Sequence, residues 1–297
     1  MKKKLLAALA VAPLVALLAG CAGAASEGPA AGTDGDAIKI GVVGASDPYW
    51  AVYTEAAAAE GIEVEIVDFA QYPQVNPALA AGEVDLNQFQ HIVYLAEYNE
   101  ASAENLAPIG ATAIYPIALY SSEYSDVDDI VAGDTVAVPD DDSNQARALV
   151  LLQSNGLIEL TDGGTIYSSI ADVDEKTSKV KVTALEASLT ASSLPDVAAA
   201  VINNDFAEKA GLKFEDAIAT DDATDPKALP YANIFVARDE DKNNETFLKL
   251  VEIYQTTQKV QDGVLAVSGD TAVMLTTPVA DLVESVAGIQ AEIQAAE

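Results

Sequence analysis

The sequence predicts an α/β fold in two lobes that clamp a ligand between them. Three observations predict it. Short apolar or alternating runs recur between helix-compatible stretches from Ile38 onward, the pattern of strands and crossover helices. The alternation starts afresh after Tyr120, so the chain holds two such blocks. The residues best suited to binding fall at strand ends and a helix start, where open α/β sheets and domain interfaces hold ligands. At 297 residues, half of them apolar, the chain is long enough for about two domains and a large core.

In the first block, residues 38–43 (IKIGVV) read as a strand ending at Gly44. A helix over 49–60 is stopped by Gly61, as a C-terminal glycine does. Residues 62–69 (IEVEIVDF) alternate apolar and acidic side chains, a strand signal. Asn76-Pro77 opens a short helix to Ala81, closed by Gly82. A strand over 84–89, a helix over 92–99 and one or two strands within 107–120 follow. The second block has a strand at 135–138, a polar turn at 139–143 and a strong helix over 144–155, stopped at Gly156. Strands are predicted at 180–184, 197–202, 217–220 and 231–237, then helices at 245–256 and 281–296. No internal repeat is visible. The expected first lobe is 38–118 with 235–297, and the second is 119–234, so the chain crosses between lobes twice.

Composition removes several function classes. Lys and Arg total 15 against 47 Asp and Glu, a net charge of -32, which excludes nucleic acid as a partner. One Cys excludes a disulfide framework or thiolate cluster, and one His, His91, argues against His-rich metal sites and His-based triads.

The N-terminus reads as a targeting signal. Lys2-Lys3-Lys4 precede an apolar stretch over 5–18, the length of a signal-peptide core and short for a membrane span. Leu18-Ala19-Gly20-Cys21 resembles a bacterial lipobox. That implies a signal peptide over 1–20 and a lipidated Cys21 that anchors the chain on the extracytoplasmic face of the cell membrane. Losing residues 1–20 removes three Lys and leaves 12 cations against 47 acids, a net charge of -35. Anionic head groups repel such a chain, so the lipid alone would hold it at the membrane. Residues 22–37 are small and non-periodic, a tether reaching on the order of 20 Å.

Three segments concentrate the chemistry. Arg147 lies near the start of the 144–155 helix, with Ser143 or Asp142 as the expected N-cap. A cation there opposes the helix dipole and calls for an anion, either a ligand carboxylate or the run Asp140 to Asp142. Arg238, the other arginine, sits in a charge run and reads as a solvated surface residue. In the second segment, Phe89 and His91 share a strand face and Tyr94 follows three residues after His91. They could form an aromatic wall, closed by Tyr72, or ordinary core. In the third, the buried strand ending Val201-Ile202 leads to Asn203-Asn204, whose amides suit a zwitterion or simply a turn.

The patterns FAQYPQVNPALAAGEVDLNQFQHIVYL, TVAVPDDDSNQARALVLLQSNGLI and AAVINNDFAEKAGL, with the lipobox, resemble the methionine-binding lipoproteins, also called NlpA lipoproteins. The likeness runs from about Ile38 to about Arg238. It implies a type II periplasmic-binding-protein fold, and a substrate-binding lipoprotein that takes methionine, foremost L-methionine, to the permease of an ABC importer. It carries the ligand carboxylate to Arg147 and ligand contacts to Asn203, Tyr72, Phe89, His91, Tyr94 and Asn144. It implies no cofactor, no metal and no catalytic residue, and the chain is expected to act as a monomer. The sequence departs from the family at Gly44 to Trp50, where a Pro-His pair is frequent, and at Asn203-Asn204-Asp205-Phe206, where Asn-Thr-Asn-Tyr is usual.

Other function classes fit the sequence less well. An extracellular hydrolase lacks a nucleophile elbow, metal motif or triad. A calcium module could use Asp140 to Asp142 and Asp221-Asp222, but no EF-hand spacing is present, and these runs read as solvated loops. A binder of a methionine peptide or another apolar amino acid, or a ligand-sensing surface lipoprotein without transport, would share the same motifs.

Overall fold

Two five-stranded sheets organise the chain. The computed structural model describes residues 37–296. The expected signal peptide, Cys21 and the tether up to residue 36 lie outside the described residues. The first sheet is built from β1 (Ile38–Val42), α1 (Pro48–Ala59), β2 (Val64–Asp68), α2 (Val75–Ala80), β3 (Leu86–His91), α3 (Ile92–Ser102) and β4 (Leu106–Ala111). The chain then passes β5 (Ala113–Ile114) into β6 (Ala118–Tyr120), β7 (Thr135–Pro139), α4 (Asp142–Ser154), β8 (Lys181–Leu185), α5 (Ala187–Thr190), β9 (Ala199–Ile202), α6 (Asn204–Lys209) and β10 (Ala219–Thr220). It returns through β11 (Asn233–Arg238), α7 (Glu245–Thr256), α8 (Gln258–Val267), β12 (Val273–Met274) and α9 (Val279–Ala296).

The strand orders are β2-β1-β3-β11-β4 and β8-β7-β9-β6-β10. In each, three strands joined by helical crossovers run parallel, β1 with β2 and β3, and β7 with β8 and β9. The fourth strand, β11 or β6, comes from a crossover between the sheets and runs antiparallel to both neighbours. The sheets are therefore mixed, with three parallel strands and two antiparallel pairings in each. The two share one topology without a sequence repeat, because strand order depends on connections and not on which apolar side chain fills a position.

Apolar burial fixes the layers. Val42, Trp50, Tyr53, Phe235, Phe247 and Tyr254 pack one face of the first sheet against α1, α7 and α8. Leu79, Leu95, Val236, Leu282 and Val286 pack the other against α2, α3 and α9. Val136, Val138, Leu149, Leu152 and Val201 seat α4 on the second sheet. A fourth cluster joins Val43, Tyr72 and Phe89 to Tyr120, Ile202 and Phe206, and so spans the two sheets.

Polar residues shape the interior as well. β3 is buried along its whole length although it reads LNQFQH. Asn87 and Gln90 donate to Asn76 Oδ1 at 2.8 and 2.6 Å, and Asn76 donates to Gln90 Oε1 at 2.7 Å. Paired amides can stay in the core where unpaired ones could not. This is why the strand runs two residues past Phe89, where its apolar pattern ends. Arg238 is not a solvated surface residue. It bonds Leu79 O and Val84 O at 3.1 and 2.9 Å and pairs with Asp241 at 2.7 Å. The start of β11 is fed by the crossover, and its far end meets the carbonyl end of α2, where a cation is favoured.

Glycines end helices where expected, at Gly61, Gly82 and Gly156, with φ of +81°, +74° and +68°. Two others permit close approach. A Cβ at Gly263 in α8 would lie 2.7 Å from Tyr49 Cβ on α1, and one at Gly110 in β4 would overlap Val251 on α7. Gly110→Ala is expected to cost about 1–3 kcal/mol through overpacking. Urea denaturation would read it as a lower midpoint with an unchanged slope.

Candidate ligand-binding cleft

The fold brings the seven residues singled out in the sequence around one cavity. Tyr72, Phe89, His91, Tyr94, Asn144, Arg147 and Asn203 line it, together with Tyr115, Asn204, Asp205 and Asn233 among others. The free space, open mouth included, is about 420 Å³. Its walls come from the end of β3, the loop before α2, the residues following β9, the first turns of α3 and α6, the first two turns of α4, and the two segments that pass between the sheets.

Arg147 is 6 % exposed, on the second turn of α4 and not in its first. The helix starts earlier than its apolar run, because Asp141, not Ser143 or Asp142, is the N-cap and accepts the Asn144 N–H at 3.0 Å. The guanidinium ignores the adjacent acidic run. Its Nε donates to Asp221 at 2.7 Å, its Nη2 to Tyr115 O at 2.8 Å, and it lies 4.4 Å over the Tyr231 ring. Asp221 also accepts the Ile117 N–H at 2.9 Å. Asp221 is thus a structural counterion, not a solvated loop residue, whereas Asp222 does lie at the surface and caps Thr224. Arg147 is tied to both crossings. Of its five N–H donors, two are spent on these bonds, so the rest are available to an anion in the cavity.

His91 closes β3 and N-caps α3, accepting the Tyr94 N–H on Nδ1 at 3.2 Å. The proton therefore sits on Nε2, which faces Asn144 Oδ1 at 3.4 Å. Burial, and then the nearby Arg147 charge, push its pKa down to about 3, so the ring is neutral at physiological pH.

The aromatic wall forms. Tyr72, Phe89 and Tyr94 are mutual neighbours, with ring centroids 5.8, 6.3 and 5.6 Å apart. One departure from the family pattern, Asp205-Phe206, sits beside it. Tyr72 donates its hydroxyl to Asp205 at 2.7 Å and packs 4.9 Å from the Phe206 ring. These contacts join the first sheet's elements to the second's.

Asn203 holds the N-cap position of α6 but does not cap it. Its Nδ2 donates to Asn144 Oδ1 at 2.8 Å, and its buried Oδ1 has no partner among the described residues. An orphan buried acceptor is costly, and it suits a cationic donor from a ligand. The cavity thus offers a fixed cation, an acceptor and an aromatic surface. This chemistry is complementary to a small zwitterion with an apolar side chain.

Tyr115, Tyr231 and Asn233 were not singled out from the sequence, where Asp205 figured only as a departure from the family pattern and Asp221 only as a possible calcium ligand. The Arg147–Asp221 pair spans 74 residues, so no local spacing marks it. Asn233 opens β11 just after the last crossing, the same kind of position that drew attention to Asn203 at the end of β9.

The chain is similar to known proteins over most of its length. The family model described as NlpA lipoprotein matches residues 38–272, beyond the region of Arg238 to which the sequence likeness runs. The chain is 37 % identical to the probable D-methionine-binding lipoprotein MetQ of Pasteurella multocida, over 88 % of this chain and 95 % of that one. It is 37 % identical to the D-methionine-binding lipoprotein MetQ of Escherichia coli, over 75 % of this chain and 83 % of that one. Among solved structures, a nutrient-binding protein from Burkholderia cenocepacia bound to methionine superposes with a TM-score of 0.74 at 35 % identity, covering 80 % of this chain and 99 % of that one.

Proposed function

The chain belongs to the NlpA lipoprotein family, and from that premise we propose that it is the substrate-binding lipoprotein of an ABC importer, taking methionine in the cleft between its two sheets. The observation that carries the proposal is one cavity holding both Arg147, with uncommitted N–H donors, and the unpartnered Asn203 Oδ1. The ligand carboxylate meets Arg147. Its ammonium meets Asn203 Oδ1. Its thioether lies against Tyr72, Phe89 and Tyr94, worth about 0.3–1.5 kcal/mol per sulfur–ring contact.

Micromolar binding needs about 8 kcal/mol. Burying the side chain supplies roughly 1.5–3 of that. Charge-assisted bonds and closure of the lobes supply the remainder. The lobes are 38–118 with 235–297, and 119–234, and closure is a hinge motion about the two crossings. The loaded form, a monomer held by lipid on Cys21, docks on a membrane permease. No step of this role requires catalysis.

A thermal-shift panel of L-methionine, D-methionine, other apolar amino acids and methionine peptides tests the reading. A ligand at a hundred times its dissociation constant stabilises by about 2.7 kcal/mol. Methionine should give the largest shift. Equal shifts, or none from protein shown by mass spectrometry to carry no cargo, would overturn the reading.

A further inference from the structure

Three side chains that meet at the start of α4 form a polar chain with one direction. Asp141 Oδ1 accepts from Ser143 Oγ at 3.2 Å, from the Asn144 backbone N–H at 3.0 Å and from Asn144 Nδ2 at 2.8 Å. An ionised carboxylate can only accept, so the NH₂ end of Asn144 must face it. The Oδ1 end of Asn144 then points the other way and takes Asn203 Nδ2 at 2.8 Å. With its NH₂ engaged, Asn203 can turn only its Oδ1 to the cavity, and that atom is buried without a partner. The His91 Nε2–H, 3.4 Å from Asn144 Oδ1, pushes the same way.

We infer that Asp141 is a positioning residue for ligand recognition: through Asn144 it makes Asn203 present an acceptor to the cavity, and so selects a ligand that carries an ammonium group. Asp141 itself does not line the cavity. The inference rests on the methionine reading for its ligand but not for the polar chain, which exists without one. An Asn is the most adaptable of polar side chains, since its two ends have opposite character and similar size. A protein that uses one to recognise a charge needs something to forbid the flip. The N-cap carboxylate of α4 supplies this because its own position is already fixed by the helix N–H it satisfies.

The test uses the full chain with Asp141→Ala and Asp141→Asn. Asparagine is as good an N-cap, and its oxygen can still accept both N–H groups of Asn144, so it should rescue what alanine loses. The first readout needs no ligand. Nuclear magnetic resonance should show slow-exchanging Nδ2 hydrogens of Asn144 and Asn203 in the wild type and in Asp141→Asn, and fast exchange in Asp141→Ala. The second compares L-methionine with 4-(methylsulfanyl)butanoate, which lacks only the amine. Asp141→Ala should weaken L-methionine at least about fivefold and the amine-free acid less than about twofold, while Asp141→Asn keeps the wild-type ratio. Unchanged exchange in Asp141→Ala would overturn the polar chain. The expected exchange with equal weakening of both ligands would overturn the selective role. If the exchange behaves as expected and the wild type binds neither compound, the polar chain stands and the methionine reading fails.

Discussion

Arg147→Ala is expected to weaken L-methionine binding by roughly thirtyfold to several thousandfold, about 2–5 kcal/mol, the cost of removing one member of a buried charge pair. The variant removes the ligand's carboxylate anchor and also strands Asp221 and the Tyr115 carbonyl, which Arg147 holds at 2.7 and 2.8 Å. Its fold must therefore be checked beside its affinity. Arg147→Lys separates the two effects. Lysine keeps the charge, but a single ammonium cannot reach Asp221, Tyr115 O and a ligand in the planar geometry of a guanidinium. It should keep much of the stability and still lose most of the affinity. Titration calorimetry, with circular dichroism of each variant, checks both. An affinity unchanged in folded Arg147→Ala would remove Arg147 from the site.

Asp47→Asn is expected to stabilise the protein increasingly as pH rises. Asp47 lies in the loop after β1, is 8 % exposed and leaves Oδ1 without a partner among the described residues. Its carboxyl faces that of Glu208 on α6, an element of the other sheet. Burial first, then the neighbouring Glu208 carboxyl and the charge of Asp205, raise its pKa from 3.8 to about 8, against the opposing pull of Lys209. An acid with a raised folded-state pKa keeps a proton that the unfolded chain gives up. Its cost to stability is absent below about pH 4, grows as pH rises toward about 8 and levels off above. The variant has no proton to keep. Its advantage over the wild type should grow by up to about 1.4 kcal/mol per pH unit across that window, reaching a few kcal/mol in all. Denaturant melts from pH 5 to 9 measure it. A constant difference between the two proteins would show that Asp47 is ionised in the fold throughout.

Much of this architecture can be read in the chain. Helix α7 begins and ends where its 3.6-residue apolar pattern does, with Asn244 accepting the Thr246 N–H at 2.9 Å as its cap. The aromatic wall is legible because strand and helix periods put Phe89, His91 and Tyr94 on neighbouring positions. What escapes is whatever depends on distant partners. β3 outlasts its apolar signal because Asn76 lies within reach of Asn87 and Gln90. α8 is amphipathic but carries a glycine and was not predicted, and Gly263 is what lets it touch α1. Arg147 and Arg238 look alike as isolated cations beside acids. One is tied to both crossings and the other to the end of α2, and no local pattern tells them apart. The seven site residues could be gathered from the sequence, but Asp221 and Asp141, which orient Arg147 and Asn203, become visible only through geometry.

Calorimetric titration of cargo-free protein with L-methionine, beside its methyl ester and its amine-free analogue, tests the central claim most directly. A zwitterion held between Arg147 and Asn203 predicts one site per chain, with each single-group deletion weakening binding by about tenfold or more. Binding of the ester or the amine-free acid as tight as that of L-methionine would contradict it.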